Sequence, residues 1–524
     1  MSTAPAVVRA HAGRFVAAVD QGTTSTRCLV FDHGGRVVSA AQSEHRQSFP
    51  RPGWAEVDAL EIWRSTQRVV NLALARAGIG AEDVAALGLA NQRETTVVWD
   101  RRTGRPVAPA ITWQDTRATD VAAQVAAGPD GVLVEEITGL RPAGYFSAPR
   151  LHWLLEHVPG LERRARAGEV LFGTMETWLA WNITGGGDGG VHVTDVTNAH
   201  RTLLVDERTL EWDPRLLEVF GVPAAMLPAV RPNVGVVGTC RTLLPGVPLA
   251  GAFGDQQAAL FGQACFDRGQ SKCTYGTGAF LLANTGGSPV RAGVTESGLL
   301  STVAYQLDGE EPQYAVEASI AYAGALVSWF RDSLGLLRTA PEVETLARQV
   351  EDNGGCYVVP AFAGLFSPLW DPDARGVVAG LTSYVTKAHL ARAVLEATAW
   401  QTYDVVEALA TGPGLTLDRL RVDGGMTANN LLMQTIADVL DVPVDRPLVA
   451  ESVSRGAAYA AGLAVGFWPD LDVLRGTWRR AASWTPEMSA DRRRRELAGW
   501  RRAVERTLGW VVPDEAEGTP PLLL

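Results

Sequence analysis

Phe15-Val16-Ala17-Ala18-Val19-Asp20-Gln21-Gly22-Thr23-Thr24-Ser25-Thr26-Arg27 is the stretch on which the fold turns. Its apolar opening, ending in a carboxylate, reads as a buried strand. Gln21 to Thr26 reads as a tight turn and Arg27 to Asp32 as a returning strand. His33-Gly34-Gly35 then reverses the chain into a third strand, Arg36 to Ala41. A β-meander differs from the strand–loop–helix that opens a Rossmann or P-loop domain, and GxxxxGK[ST] occurs nowhere in the chain. Glycine lets backbone approach a phosphate, and small hydroxyl side chains add donors without bulk. Gly22-Thr23-Thr24-Ser25 with Arg27 therefore suits either a plain hairpin or a phosphate cradle. Asp20 is placed to hold a magnesium ion or its waters.

The same device recurs: Lys272-Cys273-Thr274-Tyr275, the turn Gly276-Thr277-Gly278, then Ala279 to Ala283. Two α/β halves, each opening with a hairpin, account for the recurrence, with a boundary near Gly262 (residues 1–262 and 263–524). In the first half, helical periodicity over Ala59 to Ala77 precedes a strand, Val84 to Ala90, which ends in Asn91-Gln92-Arg93-Glu94. The strand Leu249 to Phe253 runs into Gly254-Asp255-Gln256-Gln257, ahead of a helix-like Ala258 to Phe261. There Asp255 reads as a helix cap or as a general base at the crevice of an open sheet. In the second half, helices are expected at Ala315 to Arg331, His389 to Leu409 and Asn430 to Leu440. The strand Leu420 to Val422 runs into Asp423-Gly424-Gly425, where bare backbone would admit an adenine ring. Asn429 beside it is a polar partner for that ring, a helix cap, or both.

At 524 residues two large domains are the default, and 46% hydrophobic with 20% charged residues is ordinary globular composition. A formal charge of −11 argues against nucleic acid or anionic membrane as the main partner. The only lysines are Lys272 and Lys387, and Lys272 reads more readily as an exposed strand-end residue than as a phosphate ligand. Five cysteines without a CxxC spacing suit a reducing compartment and no zinc site. Met1 to Phe15 has no long apolar stretch and no segment reaches membrane-spanning length, so a cytoplasmic protein without membrane insertion is expected. The tail from Pro513 reads as poorly ordered.

Taken together and in order, the first hairpin, Asn91 to Thr96, Gly254 to Gly262, Tyr275 to Gly278 and Asp423 to Gly425 resemble the FGGY carbohydrate kinases, and among them the members that act on glycerol. The resemblance runs from about Phe15 to about Trp510. It implies two ribonuclease H-like domains, as in actin and hexokinase, with ATP, magnesium and the acceptor in the cleft between them. By that resemblance Thr23, Thr24, Ser25, Arg27 and Thr277 would contact phosphates, and Gly324, Ser328, Gly425 and Asn429 would surround the nucleoside. Asp20 and Asp255 would lie near the metal. Arg93, Glu94, Asp255 and Gln256 would bind the hydroxyls of glycerol, Trp113, Tyr145 and Phe280 would wall it, and Asp255 would be the base. A homodimer or homotetramer is implied.

Departures limit what carries over. The family often has Gln at the position of Ser328. Thr239 to Pro248 lacks the glycine- and lysine-rich pattern by which some members bind fructose bisphosphate, and Arg231 to Thr239 has no histidine to be phosphorylated. Two further readings stay open: a kinase for another polyol or ketose, and a non-catalytic, actin-like nucleotide-binding protein.

Overall fold

The computed structural model describes residues 13–511 apart from 292, 293 and 295. The expectations for the first twelve residues and for the tail from Pro513 lie outside that range.

The first sheet contains β1 (Phe15–Gln21), β2 (Ser25–Phe31), β3 (Val37–Glu44), β4 (Val84–Asn91), β5 (Val234–Thr239) and β6 (Pro248–Gly254). Its spatial order is β5-β6-β4-β1-β2-β3. β1, β2 and β3 are the antiparallel meander, with Asp20 opposite Arg27. β4 runs parallel to β1 and β6 parallel to β4.

The second sheet contains β7 (Ser271–Tyr275), β8 (Ala279–Gly286), β9 (Leu300–Tyr305), β10 (Gln313–Ile320), β11 (Leu420–Asp423), β12 (Val444–Pro447) and β13 (Arg480–Trp484). It is ordered β9-β10-β8-β7-β11-β12-β13. β7, β8 and β10 are antiparallel, and β7, β11 and β12 are parallel. Each half therefore lays three antiparallel strands beside two parallel ones, a duplicated layout in keeping with the recurrence of the hairpin; in the second half β9 intervenes in the chain before the third strand, β10.

The helices that position the site are α1 (Ala59–Ala77), α2 (Met175–Thr184), α3 (Val196–His200), α4 (Asp255–Gly262) and α5 (Gly324–Asp332). Further along come α6 (Lys387–Thr411), α7 (Asn430–Leu440), α8 (Ser452–Ala464) and α9 (Ala490–Glu505). In α1 the Asp58 carboxylate accepts from Leu60 N at 2.8 Å, which caps the helix. Ile62, Val69, Val70 and Ala73 form the buried stripe, and Gly78, at φ 66°, ends the helix.

Alternation along β1 buries both of its faces. Ala17 and Val19 pack with α1 and α2, whereas Val16 and Ala18 face a core shared between the two halves. That shared core joins Ala258, Leu260 and Phe261 of α4 to Ala457 through Ala461 of α8, and it also takes in Leu282, Ala304 and Ala315 of the second sheet.

The helix expected at Ala315 to Arg331 is a correction. Ala315 to Ile320 belong to β10, and only Gly324 to Asp332 is helical. Nearly all of β10 is buried on both faces, so its residues show no period-two alternation to distinguish a strand from a buried helix. Among the described residues no helix is long and apolar enough to cross a membrane.

Candidate active site

The first hairpin closes with Gly22 N donating to Ser25 O at 2.9 Å. Trp113 Nε1 donates to Thr23 Oγ1 at 3.0 Å and His45 Nε2 meets Thr23 O at 2.9 Å, so Trp113, His45 and the turn are one unit. Ser25 is buried, while Thr24 and Arg27 are exposed. Asp20 is half-buried at the end of β1. Burial pushes its carboxyl up to about 6, with Asp255 and Glu451 adding to the rise and Arg27 opposing it.

The ends of β4 and β6 are tied together behind the site. Asn91 exchanges side-chain hydrogen bonds of 3.0 and 2.9 Å with Asn198, and Gly254 N donates to Thr197 Oγ1 at 2.9 Å. Thr197 and Asn198 both donate to Asp195, which caps α3. One buried carboxylate thus holds the two strand ends that carry Arg93-Glu94 and Asp255.

At these strand ends charges interleave. Arg93 gives Nη1 and Nη2 to the two carboxylate oxygens of Glu317 on β10, at 2.5 and 3.0 Å, and turns Nε toward Asp255 at 3.3 Å. Glu94 accepts from Arg201 Nε at 2.6 Å, and Arg201 Nη2 lies 3.6 Å from Glu317. Glu94 itself sits at φ 62°, a left-handed conformation costing about 1–2 kcal/mol for such a residue. Its carbonyl is held there by Ser147 Oγ at 2.9 Å. Tyr145 packs on Phe146, its ring 5.8 Å from the Arg201 guanidinium, and burial pushes its hydroxyl up to about 12.

Asp255 is the first residue of α4, one place inside the N-cap position that Gly254 occupies, and its carboxylate accepts from Gln256 N at 2.7 Å. Burial raises the Asp255 carboxyl above the usual carboxylate range, with Glu94 adding to the rise and Arg93 and Lys272 opposing it. Glu317 goes the other way. Burial would raise it, but Arg201 and Arg93 pull it down to about 2.

Lys272 corrects the reading of it as an exposed strand-end residue: it is fully buried. Its Nζ donates to Gln256 Oε1 at 2.5 Å and to Thr274 Oγ1 at 3.0 Å, and lies 3.4 Å from Phe280 O, bridging α4 to the second hairpin. Phe280 is half-buried on β8.

Three segments meet behind the second hairpin. Ala323 N and Ala325 N both donate to Thr277 O at 3.0 Å, and Gly324 N donates to Gly276 O at 3.0 Å. Gly424, at φ 92°, backs onto Tyr275, where a Cβ would lie 2.4 Å from the carbonyl oxygen. Gly425 and Thr277 are exposed, and Asn429 caps α7 by accepting from Leu432 N at 2.9 Å. Ser328 lies one turn along α5 from Gly324, half-buried.

Asp20, Arg93, Glu94, Asp255, Gln256, Gly425 and Asn429 lie at or just beyond the carboxyl ends of parallel strands, where open α/β sheets bind ligands. Thr23 to Arg27, Thr277 and Phe280 lie on the two hairpins, Trp113 and Tyr145 on connecting loops, and Gly324 and Ser328 on α5. Glu317, Arg201 and Lys272 were missed as parts of the site. The available signal for Glu317 was a lone carboxylate within Ala315 to Ile320, which is costly in an apolar run unless paired.

Among the described residues no group of three or more His, Cys, Asp or Glu side chains could hold a metal ion. Asp20, whose carboxyl is pushed up by burial and further by the charge of Asp255, fits with Asp255 a magnesium ion, which is commonly held by one or two carboxylates plus substrate phosphates and water.

Residues 15–262 match the N-terminal domain, and residues 271–465 the C-terminal domain, of the FGGY family of carbohydrate kinases. The chain belongs to the FGGY family. This FGGY kinase is 58% identical over 504 residues to glycerol kinase 2 of Streptomyces avermitilis, spanning 96% of this chain and 99% of that protein. Its fold superposes on the Plasmodium falciparum glycerol kinase solved with ADP, with a TM-score of 0.88 and 35% identity over 94% of this chain and 98% of that one. A xylulose kinase from Rhodospirillum rubrum shares the fold alone, with a TM-score of 0.80 and 23% identity over 94% and 98% of the two chains.

Proposed function

We propose that this FGGY kinase transfers the γ-phosphoryl group of ATP to a primary hydroxyl of glycerol, giving sn-glycerol 3-phosphate and ADP. The observation that carries the reading is the charge balance of the acceptor pocket. Arg93, Arg201 and Lys272 are met by Glu94, Asp255 and Glu317 within one connected cluster. With Asp423 as a further carboxylate near Lys272, no surplus positive charge is left to bind an anionic acceptor, while the charged hydrogen-bonding edges suit a small neutral polyol. The relatives that share most of this sequence carry the name glycerol kinase, which supports the same substrate.

In this reading Arg93 Nε, Glu94, Asp255 and Gln256 orient the hydroxyls, and Trp113, Tyr145 and Phe280 pack against carbon. Asp255 accepts the proton of the attacking hydroxyl as the new bond forms. Thr23, Thr24, Ser25, Arg27 and Thr277 position the phosphates, and Gly324, Ser328, Gly425 and Asn429 border the nucleoside. Magnesium held by Asp20 and Asp255 would supply charge neutralisation at the phosphates. Little covalent work falls to the protein beyond alignment and the exclusion of water. The five cysteines are free and buried, which supports a cytoplasmic setting, and we infer a homodimer or homotetramer.

The test is ADP release measured with glycerol, dihydroxyacetone, xylulose, ribulose and no acceptor. Glycerol should give the highest kcat/KM. Faster turnover of xylulose would replace glycerol as the substrate, and ADP release that no acceptor stimulates would favour a nucleotide-binding protein without acceptor chemistry.

A further inference from the structure

Glu317 is 1% exposed and lies on β10, in the second half of the chain, yet its carboxylate is committed to two arginines of the first half. The pairing with Arg93 is the two-pronged kind that only a guanidinium can make, and it fixes the orientation of the whole group. Both terminal nitrogens of Arg93 are turned onto Glu317, with Nη1 also 3.4 Å from Gln257 Oε1. What remains facing Asp255 is the Nε edge. Through Arg201 the same carboxylate also steadies the partner of Glu94. A buried ion pair contributes little to stability compared with a well-packed apolar pair, so stability alone does not account for the arrangement.

We propose that Glu317 is a positioning residue that sets acceptor specificity: it presents Arg93 by its Nε edge and cancels the charge that would otherwise admit anionic acceptors. Because it reaches across from the half that carries the second hairpin, the acceptor site is complete only when both halves are in register. The inference rests on the reading of this pocket as the acceptor site; turnover of glycerol by the unaltered enzyme tests that reading, and the variants below test the inference.

Glu317→Gln keeps the shape and removes the charge. The measured quantity is the ratio of the glycerol KM to the inhibition constant of glycerate, an anion of the same carbon length. The ratio should rise at least tenfold over that of the unaltered enzyme, because glycerol binding weakens while glycerate binding tightens. If both affinities fall together and the ratio is unchanged, Glu317 is only a packing element and the proposal fails. Glu317→Asp keeps the charge but is one methylene too short to hold both terminal nitrogens. It should raise the glycerol KM at least fivefold, leave the ATP KM within twofold and keep glycerate excluded. An unchanged glycerol KM in this variant would overturn the proposal even if Glu317→Gln yields no folded protein.

Discussion

Asp255 carries competing demands within one side chain. It is the first residue of α4, so its carboxylate lies near the positive end of that helix and accepts from Gln256 N at 2.7 Å. Arg93 Nε at 3.3 Å also favours its ionised form, yet burial and Glu94 leave the carboxyl above the ordinary range. A base tuned upward takes a proton more readily than an unperturbed aspartate, provided the pH keeps it ionised. Asp255→Asn preserves shape and the helix start but cannot accept a proton. We expect kcat to fall by about 10²–10⁴-fold. ADP affinity, measured by calorimetry, should stay within twofold, because the proposed nucleoside contacts, Gly324, Gly425 and Asn429, belong to the other half. Near-normal turnover would remove Asp255 from the chemistry. Glu94, held at φ 62°, carries backbone strain beside it, and its neighbours Ser147, Arg201 and Arg93 are what keep it there.

Packing between elements carries its own titration. Asp404 of α6 accepts from Trp500 Nε1 of α9 at 2.7 Å, and burial pushes its carboxyl up to about 7, with Glu407 adding to the rise. A carboxyl whose folded value exceeds its unfolded value holds its proton more tightly when folded. Stability from this contact is therefore full below the unfolded value of 3.8 and declines as pH rises toward 7. Asp404→Asn keeps an oxygen for Trp500 and has nothing to ionise. It should stabilise the protein at pH 8 and change little at pH 4, as read by urea midpoints at the two values; equal shifts at both would exclude the ionisation. Elements differed in how clearly the sequence announced them. The two hairpins, α1 and α7 were legible because turn residues, a capping Asp or Asn and a one-sided apolar stripe agree locally. β10 was read as a helix because it is buried on both sides, and Glu317 was lost with it. Lys272 looked exposed because its partners, Gln256 and Thr274, include one from across the halves.

Across the whole molecule the two halves share a core through α8, which comes late in the chain and yet packs on the first sheet and on α4. Glycine makes this approach possible. A Cβ on Gly456 would lie 1.9 Å from Ala258 O, one on Gly262 would lie 2.0 Å from Ser452 O, and one on Gly88 would lie 2.1 Å from Ala457 O. These obstructions are backbone, not the ends of flexible side chains, so α4 and α8 would have to separate to admit a methyl group. Separation would move Asp255 at the start of α4 relative to Lys272 and Glu317, which belong to the second sheet. Gly456→Ala should therefore cost about 2–3 kcal/mol of stability through overpacking. It should also raise the KM of glycerol and of ATP together, since the register of the halves sets both sites. Thermal unfolding and initial-rate kinetics check the two parts. A destabilised variant with unaltered KM values would show that α8 supports the fold without setting the cleft, and an undisturbed melting temperature would mean that the helices do not meet as closely as their glycines require.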